Sequence, residues 1–131
     1  MNPNNYIEFL QKLILMALEY QANPQFGSKN FEPAFFAVLM FVKGANPDLQ
    51  AQAELEFVKI IQSPNIKTYE LVAYCMRDLK FKQVREATQN LINQTENKGR
   101  GFQIRRRLEN VLQAYDFQWD DDKTYSYFSN K

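Results

Sequence analysis

Residues 33–43 read PAFFAVLMFVK, about ten residues from Pro33 to Val42 without a charge or a side-chain amide, closed by Lys43 and Gly44. The run is well short of the ~20 apolar residues that cross a bilayer. Its Phe and Val content would suit a buried β-strand, but no partner strand is legible elsewhere in the chain. The stretch therefore predicts a helix over Pro33–Lys43. An all-round apolar helix belongs in the middle of a domain, and Gly44 is its natural C-terminal stop.

Working outward, the flanking segments repeat their apolar residues at helical spacing. Upstream, Tyr6, Leu10, Leu13, Ile14 and Ala17 form a stripe over Asn5–Tyr20, widened by Ile7, Leu15 and Leu18 and ended by Asn23, Pro24, Gly27 and Ser28. Downstream, Asn46 before Pro47 is an N-cap followed by proline at the first helical position. Asp48 adds a favourable charge there. That third helix runs to Gln62, with Leu55, Phe57, Val58 and Ile61 marking its buried side, and Ser63 and Pro64 close it. A fourth helix spans Thr68–Leu79, with Thr68 as N-cap and Leu71, Val72, Cys75, Met76 and Leu79 inward. A fifth spans Lys82–Gln94 with Val84, Ala87, Thr88, Leu91 and Ile92 inward. Their join at Lys80, Phe81 and Lys82 holds no Gly or Pro, and a change of phase alone marks a tight αα-hairpin. Asn97–Gly101 reads as a loop. The sixth helix, Phe102–Tyr115, turns Ile104, Leu108, Val111, Leu112 and Tyr115 inward.

The expected fold class is all-α: six antiparallel helices with short connections in a single domain over residues 1–131, closed as a compact bundle or stacked as helical hairpins. Beyond Asp116 the periodicity stops. Residues 116–131 form an aromatic and acidic tail, expected to pack on the domain.

Residues 68–94, with two helices, a tight turn, Val84-Arg85 opening the second helix and small Thr88 three positions on, resemble a HEAT-type helical repeat unit. Phe81 stands where that pattern has Asp. The resemblance covers about a fifth of the chain, and no fixed-period repeat runs through the rest. It implies a stack of hairpins and says nothing of activity.

The 131-residue chain has 45% hydrophobic and 24% charged residues and a net charge of +1. It is long enough for a real core, and its bulk charge selects no partner class. It has no histidine and one cysteine. These counts exclude Ser-His-Asp and Cys-His catalysis, His-ligated or Cys-cluster zinc, and an internal disulfide. No Walker A, GxGxxG or GxSxG sequence occurs. Cys75 sits at an inward position and reads as a small core residue. Glu54 and Glu56 face different ways on a helix, and Glu70 and Asp78 lie about two turns apart. No catalytic residue, metal ligand or cofactor site is expected, and the chain is read as a non-enzyme. No base precedes Lys12, so no signal peptide is expected, and a lone cysteine suits a reducing compartment, the cytoplasm.

Two charged segments are candidate sites. In the tail, Trp119, Asp120, Asp121, Asp122 and Tyr125 combine an aromatic anchor with a charged rim, as protein-binding hot spots do. Calcium is excluded there by the missing turn glycine and terminal Glu. The second segment is Lys98, Arg100, Arg105, Arg106 and Arg107, within residues 65–115 that hold twice as many bases as acids. It is the candidate nucleic-acid contact. Helical geometry pairs Arg105 with Glu109, points Arg106 outward and lays Arg107 beside the apolar stripe. Tyr74 reads as core edge. Phe81 and Phe102 either staple their helices or stack on bases. The leading expectation is a protein-interaction domain, in concrete form a small bacterial inhibitor of the immunity-protein kind. Its helical face and acidic aromatic tail would hold an unknown protein partner. Nucleic-acid binding through the basic segment is the alternative, and a carboxylate-based enzyme a distant third.

Overall fold

A computed structural model describes residues 2–22, 31–63, 66–95 and 99–116. They form six α-helices, α1 (Pro3–Ala22), α2 (Phe31–Lys43), α3 (Pro47–Gln62), α4 (Ile66–Leu79), α5 (Lys82–Gln94) and α6 (Gly99–Gln113), followed by a 3-10 turn, Ala114–Asp116. No strand occurs among the described residues, so the fold is all-α. None of the described helices is long and apolar enough to cross a membrane.

The contacts divide the chain into two compact units, with the boundary inside α3 between Ala53 and Glu54. In the first, α1 packs on α2. Tyr6, Leu10, Ile14 and Ala17 of α1 and Phe35, Val38, Leu39 and Val42 of α2 are buried. The Tyr6 ring stacks on Phe41 at 4.7 Å between centroids, and Phe9 tilts against the same ring at 5.0 Å. These contacts put the C-terminal turn of α2 beside the N-terminal turns of α1, so the two helices run antiparallel. α1 starts earlier than its stripe predicts because Asn2-Pro3 repeats the Asn46-Pro47 device. The Asn2 side-chain oxygen accepts the Asn4 amide at 2.8 Å, and that of Asn46 accepts the Leu49 amide at 2.9 Å. At the end of α2, the Gln50 side-chain amide donates to the Lys43 and Ala45 carbonyls at 3.1 and 3.2 Å. The Gly44 amide donates to Met40 O at 3.0 Å, and a Cβ on Gly44 would come within 3.3 Å of that oxygen.

In the second unit, α4 and α5 both pack on α6, and α4 also meets the 3-10 turn. Leu71, Val72, Tyr74, Cys75 and Met76 are all fully buried. Five such residues within six positions leave α4 surrounded on nearly every side. Val84, Thr88 and Ile92 of α5 and Leu108 and Val111 of α6 are buried as well. Thr88 satisfies its hydroxyl on the Val84 carbonyl at 2.7 Å, one turn back.

Several expectations are corrected. The surrounded helix is α4 and not α2, whose Pro33, Ala37 and Met40 are exposed. Tyr74 lies in the core, not at its edge. Leu55 and Leu15 are exposed rather than inward. Thr68 is a buried residue inside α4, which begins at Ile66, and so is not its N-cap. Gly99–Gly101 are not loop but the first turn of α6, with Gly99 at φ 59°.

Leu108→Asp is expected to cost about 3–5 kcal/mol, the range for an unpaired buried charge, while Asn46→Ala costs about 1 kcal/mol for a lost N-cap. Thermal melts followed by circular dichroism check both. A Leu108→Asp variant melting like the parent would show that the inward side of α6 is misplaced.

Candidate functional site

The join between α4 and α5 has a specific construction. Lys80 takes a left-handed conformation, φ 50°, and its amide donates to the Met76 carbonyl at 3.2 Å, closing α4. Phe81 is the N-cap of α5 and offers no side-chain acceptor. Glu54 of α3 supplies it instead, its carboxylate accepting the Gln83 amide at 2.8 Å. A negative charge at a helix N-terminus is favourable. The Phe81 ring lies 6.2 Å from that of Phe57. Its carbonyl accepts the Tyr115 hydroxyl at 2.6 Å and the Arg85 amide at 3.2 Å. The Arg85 guanidinium sits over the Tyr115 ring, 5.8 Å from its centroid. Burial raises the Tyr115 phenol well above its ordinary value; the Glu54 charge adds to the rise, and Arg85 opposes it. This cluster is a structural tie between α3, the α4–α5 corner and the 3-10 turn.

The reactive side chains in the second unit are quiet. Cys75 is fully buried, and burial, with the Asp78 charge in addition, pushes its thiol far up. A neutral, inaccessible thiol is no nucleophile. Glu56 of α3 is buried, a position its sequence neighbourhood did not suggest. Among the described residues no group of three or more His, Cys, Asp or Glu could hold a metal ion.

Two surfaces remain open. On α6, Phe102, Gln103, Arg106, Arg107 and Asn110 line an open depression. Arg106 and Arg107 are exposed, and Phe102 is 49% exposed. Arg105 turns away to pair with Glu109 at 3.2 Å, as the spacing predicts. On α1 and α2, Phe9 (47%), Met16 (53%) and Met40 (41%) are large apolar side chains left in water. Phe9, half-buried Leu13 and Met16 follow one another along α1 at i, i+4 and i+7. Half-buried Phe41 receives Phe9, and exposed Ala37 lies one turn before it.

Of the sequence-predicted residues, Trp119, Asp120, Asp121, Asp122, Tyr125 and Lys98 lie outside the described residues. Arg100 falls in the first turn of α6. Hydropathy places Leu13 and the apolar run of α2 in the core, and Phe9 and Met16 stand outside the stripe it marks on α1, so the face does not show as a surface. The legible signal was that α1 carries more apolar positions than one buried stripe needs. Compared with protein-family models, with curated proteins and with solved structures, the chain matches none.

The raised phenol and thiol set an alkaline limit. Their stabilising share is present in full below the ordinary values, 9.0 for a thiol and 10.0 for a phenol. It is lost as pH rises from there through the raised folded-state values, because the unfolded chain releases these protons first. Urea titrations at increasing pH are expected to show stability falling above pH 9. Tyr115→Phe should lose about 1 kcal/mol at neutral pH, the worth of one hydrogen bond, and should remove part of the alkaline fall. A parallel alkaline profile in that variant would show that Tyr115 ionises as freely as in water.

Proposed function

We propose that the chain is a non-enzymatic protein-interaction domain, a small inhibitor of the immunity-protein kind, which holds a partner protein against the exposed face of α1 and α2. The observation that carries this reading is the continuous apolar surface of Met16, Leu13 and Phe9 running into Phe41 and Ala37. α2 carries no charge between Glu32 and Lys43, so its outward positions are apolar where a solvent-facing helix ordinarily places charge. Half-exposed Phe and Met side chains in a row are the usual composition of an interface centre. The occupant is a protein presenting an apolar patch of its own. In this reading the acidic, aromatic segment Trp119–Tyr125 favours a partner with a basic surface, such as a nuclease.

A photo-crosslinking residue at Met40 or Met16, expressed in the native cell, should capture one protein, whereas the same residue at Gln89 on exposed α5 should not. Met16→Glu with Met40→Glu should weaken the purified complex by about 2 kcal/mol or more, roughly thirtyfold, with an unchanged melting temperature. Equal affinity in that double variant overturns the reading. Capture of a second copy, with a dimer in sedimentation that the double variant dissolves, replaces the partner by the chain itself.

A further inference from the structure

We propose that the outer face of α6 binds single-stranded nucleic acid, with Arg106 and Arg107 on phosphates and Phe102 stacked on a base. This surface lies on a different unit from the apolar face above, and the proposal does not depend on that reading.

The argument begins with helical register. Leu108 and Val111 are buried and Ile104 and Leu112 half-buried, which fixes the inward side of α6. Opposite them runs the row Phe102–Arg106–Asn110, and between it and the apolar side runs the row Gln103–Arg107, each at four-residue steps. Every one of these five side chains is exposed, and together they line one depression. Neither row contains an acid. The sole carboxylate of α6, Glu109, is held by Arg105 on the flank. Two guanidinium groups therefore stand beside two side-chain amides, and the one carboxylate of their helix, Glu109, which lies beside Phe102 and Arg106, is engaged by Arg105.

That combination has a specific chemical complement. Guanidinium groups bind phosphate oxygens in a fork, and amide side chains donate to phosphate and sugar or read a base edge. The half-exposed Phe102 ring offers a stacking surface, worth most to bases already out of a duplex. From Phe102 to Asn110 the rows extend about 12 Å, room for a few nucleotides and too short to follow a duplex groove. A purely acidic peptide would use the arginines but has no ring to lie on Phe102. A pure phosphate ligand would leave both the ring and the amides idle. The aromatic ring within the arginine row is what favours an unpaired strand.

The test is fluorescence anisotropy of a labelled oligothymidylate and an oligouridylate of about a dozen residues, between about 50 and 200 mM salt. Both should bind the parent chain more tightly than a hairpin duplex does, and a difference between them tells DNA from RNA. Arg106→Gln with Arg107→Gln should weaken binding and lower the slope of log K against log salt by about 1.4, from ~0.7 per phosphate on a single strand. Phe102→Ala should weaken binding about tenfold with the salt slope unchanged. Lys59→Gln, an exposed base on α3, should change nothing, and Met16→Glu with Met40→Glu should leave oligonucleotide binding intact. All the altered positions are exposed; if the double glutamine variant melts low, the single Arg106→Gln change keeps half of the slope effect. No binding at the lower salt overturns the proposal, as does an unchanged slope in the arginine variants. Polyglutamate competing as well as the oligonucleotide, with Phe102→Ala inert, would assign the face to an acidic protein.

Discussion

Tyr115 donates its hydroxyl to the Phe81 carbonyl, and Glu54 accepts the Gln83 amide two residues on. These two bonds fix a corner with no glycine, no proline and no capping side chain of its own. The second unit depends on that corner. α4 and α5 both pack on α6, so the angle at which one leads into the other decides whether Val84, Thr88 and Ile92 reach the same interior as Leu71, Val72 and Met76. The corner is held by parts distant in sequence, one from α3 and one from the 3-10 turn. A short helical hairpin has no local means of choosing its angle, and long-range hydrogen bonds to its backbone supply one.

The placement of the surfaces follows from where burial is concentrated. α4 mixes polar and apolar residues and nevertheless has five fully buried side chains in six positions. α2 is apolar from Pro33 to Val42 and still leaves a row of side chains in water. Hydropathy of a helix and its depth in the molecule have separated here. Where an apolar helix is less deep than its composition allows, the excess is available for a partner. Where a helix exposes more cations than acids, as α6 does, the excess is of charge.

How much could be read in advance follows the range of the interactions. The six helices were legible, because period and turn residues are local, and so were the Asn46 cap and the Arg105–Glu109 pair, whose partners lie three and four residues apart. Cys75 was legible as core from its neighbours Leu71 and Leu79. The central role of α4 was not, because its burial depends on what packs around it, and a helix of mixed composition gives no sign of neighbours on every side. Nor was Glu54 at the start of α5, twenty-nine residues from the amide that it caps. Thr68 and Gly101 misled for the opposite reason: each has the right local chemistry for a boundary, and tertiary packing carried the helix past it. On the functional side, helical spacing already pairs Arg105 with Glu109 and points Arg106 outward; the exposure of Arg107, which spacing lays beside the apolar stripe, required the fold.

Lys80 carries a consequence for how this chain can change over generations. A left-handed residue that is not glycine is strained by about 1–2 kcal/mol, yet its side chain is exposed and hydropathy places no demand on it. Backbone conformation therefore filters substitution at this position whatever the side chain touches. Glycine and asparagine pass, and valine, isoleucine and threonine are barred although each would suit a helix surface nearby. Among relatives of this chain the corner would show itself as an exposed site that exchanges Lys for Asn or Gly and never for a β-branched residue. Such a signature survives when the sequence around it has drifted beyond recognition.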